Sequence, residues 1–434
     1  MREKKFWNLL SAKLIVALSV FLFVQGVAAK VSLQSSWSIK KEPAAAIDEA
    51  IASLNKKDVK NPQLVVAYFT EQFDPQQVSL KVSQAFPKTK IYGQTVYMAV
   101  FTDEGLHFGR NGSIALMSFE GSELSVGIAG AEIESTTDVS ALAMSLGKSA
   151  VEQAGKKVGD EPSVVLVGAK KGSEEQVLKG LSLVFEKSVS LVGGTPSTNS
   201  FGGGAVIAND QVYRHGTVVG TIYSTHKAGS AFYSGFEDSR KSGKVTDAKG
   251  RLLITIDNKP AQEVYKKWGE GKFDHLLSKT EDLATMETAV APLAKRIQTK
   301  DGQKHLVTIR PQKFMANGSL TMGGDVSVGE TLYYVEGTKD SLVKHAGVVT
   351  EKAIVSGAIA ASDLAGGLQI YCAGASTVIG LRDGGSAPEM VAEIKKAMNG
   401  KPFIGGFSSA EQGQIRGLGF FNSNLMSSMV VFSN

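Results

Sequence analysis

The 434-residue chain is 43% apolar and 21% charged, a balance that excludes a disordered, fibrous or collagen-like protein, and its length calls for more than one core. The net charge of +5 includes +4 from Arg2, Lys4, Lys5 and Lys13 and −1 from Glu3, so the chain beyond Ala29 carries about +2. Such a near-neutral surface leaves no electrostatic footprint for nucleic acid.

In chain order, the four N-terminal cations precede an apolar run at 14–24 and then Gln25-Gly26-Val27-Ala28-Ala29. Basic flank, short apolar stretch and small residues form the pattern of a secretory signal peptide with cleavage after Ala29. The apolar run is about half of what a membrane span needs; retention as an uncleaved anchor is the alternative. Cys372 is the only cysteine, which excludes an internal disulfide and a cysteine-based metal site. Export without paired cysteines points to a bacterial periplasm or the extracellular space.

The stretch 43–57 reads as a helix, with Pro43 near its start and Ala46, Ile47, Ala50, Ile51 and Leu54 at helical spacing. Leu64-Val65-Val66-Ala67-Tyr68-Phe69 reads as a buried strand. Asp74 is the predicted N-cap of a helix through Phe86 with Pro75 in its first turn, and 90–93 as a second strand ending in a glycine turn. The same order returns about one hundred residues later. Val164-Val165-Leu166-Val167 is followed by a helix predicted from 172 to 187, then Ser190-Leu191-Val192 and Gly193-Gly194-Thr195. A looser third copy has Leu368-Gln369-Ile370-Tyr371-Cys372, a helix over 386–398, Pro402-Phe403-Ile404 and Gly405-Gly406-Phe407-Ser408. Self-similarity at this scale implies duplicated modules. Strand–helix–strand units give parallel pairs, whereas 112–134 and 205–257 alternate and carry turn signals of antiparallel hairpins. The expected fold class is mixed α/β.

Glycines at the carboxyl end of a parallel strand allow a ligand to approach the backbone. On that basis Gly93, Thr95, Gly193, Gly194, Thr195, Gly405, Gly406 and Ser408 are binding candidates; the structural alternative is tight turns requiring positive φ. Cys372, ending the third copy's first strand, is either a nucleophile activated by a neighbour or a small buried hydrophobe. Glu411 either fixes an ammonium group, acts as a base, or is a solvated loop residue. Asp257 and Asn258 read as a turn. The six histidines are scattered singly, and no His-Glu-x-x-His, Gly-x-Ser-x-Gly or phosphate-loop pattern occurs, so no catalytic constellation, metal site or cofactor is expected.

Ile91-Tyr92-Gly93-Gln94-Thr95 with Gly105, the Leu191-Val192-Gly193-Gly194 stretch, and Val245-Thr246 leading to Ile256-Asp257-Asn258-Lys259-Pro260-Ala261 and Tyr265 resemble the N-terminal FIST domain. Val328-Gly329-Glu330-Thr331-Leu332, Tyr371-Cys372, Gly405-Gly406-Phe407, Ala410-Glu411 and Asn424 follow the order of the C-terminal FIST domain. Where that family continues from cysteine to an arginine, this chain has Gly374-Ala375-Ser376. The resemblance implies a sensory protein for a small, amino-acid-like ligand, and adds Cys372 and Glu411 to the binding candidates. The expected division is a signal peptide (1–29), a helical lead-in (30–60), a FIST N-like domain in two halves (61–160 and 161–280), and a FIST C-like domain (281–434). The expected function is an exported sensor without chemistry that reports a small-molecule ligand to a membrane-bound signalling partner. A cysteine-dependent hydrolase or transferase using Cys372 and Glu411, and an envelope scaffold, are the alternatives.

Overall fold

The computed structural model describes residues 30–275, 287–300 and 302–434. The expected signal peptide lies outside them. The chain folds three times into the same unit. Copy one runs Ser32–Ser38, helix Pro43–Lys56, Leu64–Phe69, helix Pro75–Ala85, Lys90–Thr95, a hairpin of Val100–Thr102 and Gly105–His107, and Ile114–Glu120. Copy two repeats this as Ser125–Glu132, Val139–Gln153, Val164–Gly168, Glu174–Leu181, Ser190–Gly194, Val206–Ala208 with Gln211–Tyr213, and Gly216–Tyr223. Copy three opens with Ala228–Ser234 and resumes with helix Lys339–Ser356, Leu364–Cys372, helices Ala373–Val378 and Ala387–Ala397, and Phe403–Ser408. It closes with Glu411–Ile415, Gly419–Ser423 and Met426–Ser433.

Within each copy the strands flanking the second helix pair in parallel, and the closing strand lies antiparallel between the opening strand and the first parallel strand. Each sheet's far edge comes from another copy. The hairpin of copy two completes the sheet of copy one, with Val206 opposite Gln94; that of copy three completes copy two, with Glu411 opposite Gly194; that of copy one completes copy three, with Val100 opposite Gly406. The exchange is cyclic, so no copy has a whole sheet without the hairpin of one neighbour.

The strands are buried on both faces, which explains their continuous apolar runs. Leu64, Val66 and Tyr68 enter a central core that also holds Leu166, Val192, Leu368, Ile370 and Ile404 from the other copies. The alternate residues Val65, Ala67 and Phe69 pack with Ile47, Leu54 and Val82 of the overlying helices.

The described strands from Glu237–Lys249 to Thr331–Glu336 form a separate antiparallel sheet inserted between the opening strand and first helix of copy three. The structure therefore divides the chain differently from the sequence. Ser32–Ser38 and its helix are the start of copy one rather than a lead-in, because the strand pairs along its whole length with Ile114–Glu120. A cut at 280 would split the inserted sheet, in which Glu237–Lys249 pairs with Thr331–Glu336. Leu293–Gln298 is a further strand of it.

Candidate ligand-binding site

Thr95, Thr195 and Ser408 come together at the carboxyl ends of the parallel strands. A ring of backbone bonds closes the three copies there: Tyr97 N–H to Phe407 O at 2.9 Å, Ser197 N–H to Thr95 O at 3.1 Å, and Ser409 N–H to Thr195 O at 3.2 Å. All three predicted residues are buried, with Thr195 and Ser408 at 0% exposure.

The predicted glycine turns are strand. Gly93, Gly193, Gly194, Gly405 and Gly406 lie within extended segments, and none has positive φ. What excludes a side chain is the closeness of neighbouring strands. An added Cβ would meet Ile207 at 3.0 Å from Gly93, the Val167 carbonyl oxygen at 2.1 Å from Gly193, and Ser408 at 2.7 Å from Gly194. From Gly405 it would meet Phe101 at 2.2 Å, and from Gly406 Val96 at 2.4 Å. Asp257 and Asn258, by contrast, do form a turn, both at positive φ.

Around the ring the chemistry is uneven. Between copies one and three it is apolar: Phe101 and Phe407 have ring centroids 5.3 Å apart, and Tyr371 lies 6.0 Å from Phe407. Between copies two and three it is polar. The Ser408 hydroxyl lies 2.9 Å from Glu411 Oε1, and the Met426 N–H donates to Oε2 at 3.1 Å. Cys372 Sγ also faces this carboxyl, so two residues far apart in sequence meet. Burial pushes the Glu411 carboxyl up to about 8, against the opposing pull of the Met426 N–H, Ser408, Cys372 and Arg310. The Cys372 thiol, 2% exposed, is pushed up to about 12 by burial and then by Glu411. A nucleophilic cysteine needs the thiolate, so this environment opposes that role.

Arg310, which sequence reasoning missed, supplies the buried cation facing Cys372 and Glu411. It comes from the inserted sheet and occupies the space before Gly374, where an added Cβ would lie 2.6 Å from its Nη1. The motif arginine absent after Cys372 is thus matched in space by one 62 residues earlier in the chain. No local pattern marks it.

A second polar chain continues outward. Thr195 Oγ1 donates to Glu174 Oε1 at 3.0 Å. Gln412 Nε2 lies 3.2 Å from Thr195 Oγ1 and 2.8 Å from Asn422 Oδ1, and Asn422 Nδ2 donates to Glu175 Oε1 at 3.0 Å. Arg251 of the inserted sheet bridges Glu174 and Glu175 at 2.7 and 2.5 Å. Burial raises Glu174. Burial acts on Glu175 in the same direction, but Arg251 and Asn422 outweigh it and hold that carboxyl below its usual range.

This chain ends in the floor of a 560 Å³ cleft between copy two and the inserted sheet. Glu175, Asp325 and Glu330 give it carboxylates, Lys179, Lys295 and Arg296 cations, and Thr308, Asn422 and Asn424 neutral polar groups. Asn424 is 2% exposed, and its Oδ1 has no hydrogen-bond partner. None of the predicted candidates lines this cleft; Thr195 reaches its floor through Gln412 and Asn422. A larger cleft of 710 Å³ lies between the helix Lys339–Ser356 and the strand Ala228–Ser234. Among the described residues, no three His, Cys, Asp or Glu side chains are grouped to hold a metal ion.

Three interlocked α/β copies with buried polar strand ends beside a cleft define a domain built around a shared internal junction. The chain belongs to the FIST family: the FIST N domain matches residues 63–259 and the FIST C domain residues 261–414. The two matches meet inside the inserted sheet. FIST domains are sensory, ligand-binding domains. No curated protein matches the chain. Among solved structures, cyanuric acid hydrolase from A. caulinodans is similar over 93% of this chain and 99% of its own, at 6% identity and a TM-score of 0.39. A second cyanuric acid hydrolase covers 93% and 100% at 8% identity and 0.36, and PurLQS from Thermotoga maritima 93% and 72% at 7% and 0.23.

Proposed function

We propose that the protein is an exported sensor that holds a small, amino-acid-like metabolite in the 560 Å³ cleft, performs no chemistry on it, and reports its presence to a membrane-bound partner. The reading rests on one observation: the cleft offers carboxylates, cations and side-chain amides together, as a zwitterion requires, and its floor is bonded through Asn422 and Gln412 to the converged strand ends. A ligand there would touch copy two and the inserted sheet at once, and so could couple their positions. Thr195 supports the floor from behind through Gln412, and Gly194 allows the close approach of copies two and three beside it. The leader sequence supports export. No helix among the described residues is long and apolar enough to cross a membrane.

Thermal shift of the mature chain against amino acids and related metabolites tests this. A true ligand at a hundred times its Kd adds about 2.7 kcal/mol of stability, and Asn422→Ala should weaken it at least tenfold. If no compound stabilises the protein, or Asn422→Ala leaves the response unchanged, the cleft is not the site. Iodoacetamide labelling of the native protein tests the cysteine-dependent alternative. Rapid modification of Cys372 would revive it.

A further inference from the structure

A third cavity, of 260 Å³, lies at the strand ends of copy two, lined by Lys170, Lys171, Pro196, Gly204, Arg214 and His215. Lys170 and Lys171 follow the first parallel strand of copy two, and Pro196 follows the second. The cavity thus sits outside the carboxyl ends of a parallel pair, where open α/β sheets bind ligands. No carboxylate lines it, in a chain that is otherwise close to neutral.

The two lysines are held by backbone carbonyls rather than by carboxylates. Lys170 Nζ donates to the Ile133 carbonyl at 2.6 Å and Lys171 Nζ to the Phe201 carbonyl at 2.5 Å. Among the described residues neither ammonium group has a carboxylate within salt-bridge distance. Burial lowers Lys171, as do Arg310 and Arg251, against the pull of Glu174. Arg214 reaches only Asp74, at 3.6 Å with both side chains substantially exposed. The start of the helix Glu174–Leu181 adds nothing, because Glu174 Oε2 already accepts from the Gly172 N–H at 2.8 Å. Pro196 and Gly204 are tied by a backbone bond of 3.2 Å, so the wall opposite the lysines is fixed.

The strand register shows that this charge is peculiar to copy two. Ala67, Val167 and Gln369 sit opposite Gly93, Gly193 and Gly405, which in turn face the equivalent hairpin residues Ile207, Gln412 and Phe101. Three residues onward, Lys170 corresponds to Thr70 and Cys372, and Lys171 to Glu71 and Ala373. One frame carries a hydroxyl, an ammonium and a thiol at the same place.

We infer that the cavity between Lys170, Lys171 and Arg214 is a binding site for a small dianion, phosphate or dicarboxylate in size, distinct from the cleft. Two ammonium groups and a guanidinium line a wall that contains no carboxylate, the Arg214–Asp74 pair at 3.6 Å being between substantially exposed side chains, and the space is too small for a nucleotide. The shared chemistry is a compact pair of negative charges.

The test is calorimetric titration of the mature protein with inorganic phosphate and, separately, succinate, at constant ionic strength set with chloride. Saturable one-site binding of at least one anion is expected. Lys170→Gln with Lys171→Gln should weaken it at least tenfold, Lys171→Arg should retain it, and Lys179→Gln, in the cleft, should leave it unchanged. Preference for phosphate or succinate identifies the source of the charge. The inference is overturned if neither anion saturates, or if Lys179→Gln weakens binding as much as the double variant, since that is diffuse screening. If the double variant does not fold, Lys171→Gln and Arg214→Gln alone must each weaken binding, or the site is rejected. Asn422→Ala should not affect these titrations, so the result stands or falls apart from the cleft.

Discussion

The junction of copies one and three and the junction of copies two and three share a backbone and differ in what fills it. Both close with the same strand-end hydrogen bond, Tyr97 to Phe407 in one and Ser409 to Thr195 in the other. The first is filled by Val96, Phe101 and Phe407, the second by Thr195, Ser408, Glu411 and Gln412. Val100, Val206 and Glu411 occupy equivalent hairpin positions. The frame is therefore set by strand pairing and by glycines that permit close approach. Chemistry has entered by changing single residues within it, at the cost of desolvating a carboxylate and a guanidinium.

The largest expected effect tests whether the glycines serve approach alone. Gly93 and Gly193 are equivalent, yet an added Cβ meets the end of the Ile207 side chain at 3.0 Å in copy one and the Val167 carbonyl oxygen at 2.1 Å in copy two. Gly193→Ala should cost about 3 kcal/mol or more, because a strand backbone cannot step aside, and Gly93→Ala only about 1 kcal/mol. Urea denaturation of both variants checks this. Equal losses would mean that the copies are not held by the contacts described.

Next in size is Arg310→Met. Removing one member of a buried charge group costs about 3–5 kcal/mol when the partner stays ionised. Here Glu411 can take up a proton instead, so the loss should approach about 3 kcal/mol at pH 9 and shrink below pH 7. Phe101→Leu, on the apolar side, should cost the same at both pH values. A pH-independent loss for Arg310→Met would show that Glu411 is not its partner.

Glu411→Gln isolates the carboxyl itself. Its folded pKa of about 8 lies above the ordinary value near 4.3, so between these the folded state holds the extra proton and stability falls as pH rises. His107 and His345, lowered to about 4 mainly by burial, act oppositely: stability rises with pH up to about 6.5. From pH 6.5 to 8 the histidines are silent. There the wild type should lose stability relative to Glu411→Gln by up to about 1.4 kcal/mol per pH unit. Parallel stability curves would place the Glu411 carboxyl in water.

These tests also mark what the sequence could disclose. Leu64–Phe69 and its hundred-residue echo at Val164–Gly168 were readable because burial on both faces leaves an unbroken apolar run, and the helix at Pro75 because Asp74 is a cap with a local mechanism. The opening strand Ser32–Ser38 was hidden, since its four serines give no strand-like run of β-branched residues. Gly193 and Gly405 were misread as turns because a glycine chosen for a neighbour's approach looks like one chosen for its own φ. The hairpin exchange and Arg310 depend on contacts between distant segments, which no local pattern encodes. Meeting of Thr95, Thr195 and Ser408 followed from the repeat; the cleft did not, because its other wall is the insertion.

The smallest expected effect separates two helices that the repeat makes equivalent. Asp74 caps Pro75–Ala85 by accepting from the Gln76 N–H at 3.2 Å, whereas Ser173, before Glu174–Leu181, makes no side-chain cap bond. Asp74→Ala should therefore cost about 1 kcal/mol and Ser173→Ala less than about 0.5 kcal/mol in urea denaturation. Asp74→Asn should keep the cap and remove the charge beside Arg214. If the basic cavity of copy two binds a dianion, Asp74→Asn should tighten phosphate binding a few-fold without loss of stability, because Arg214 then has no competing carboxylate. An unchanged affinity in Asp74→Asn would leave the cap in place and take Arg214 out of the anion site.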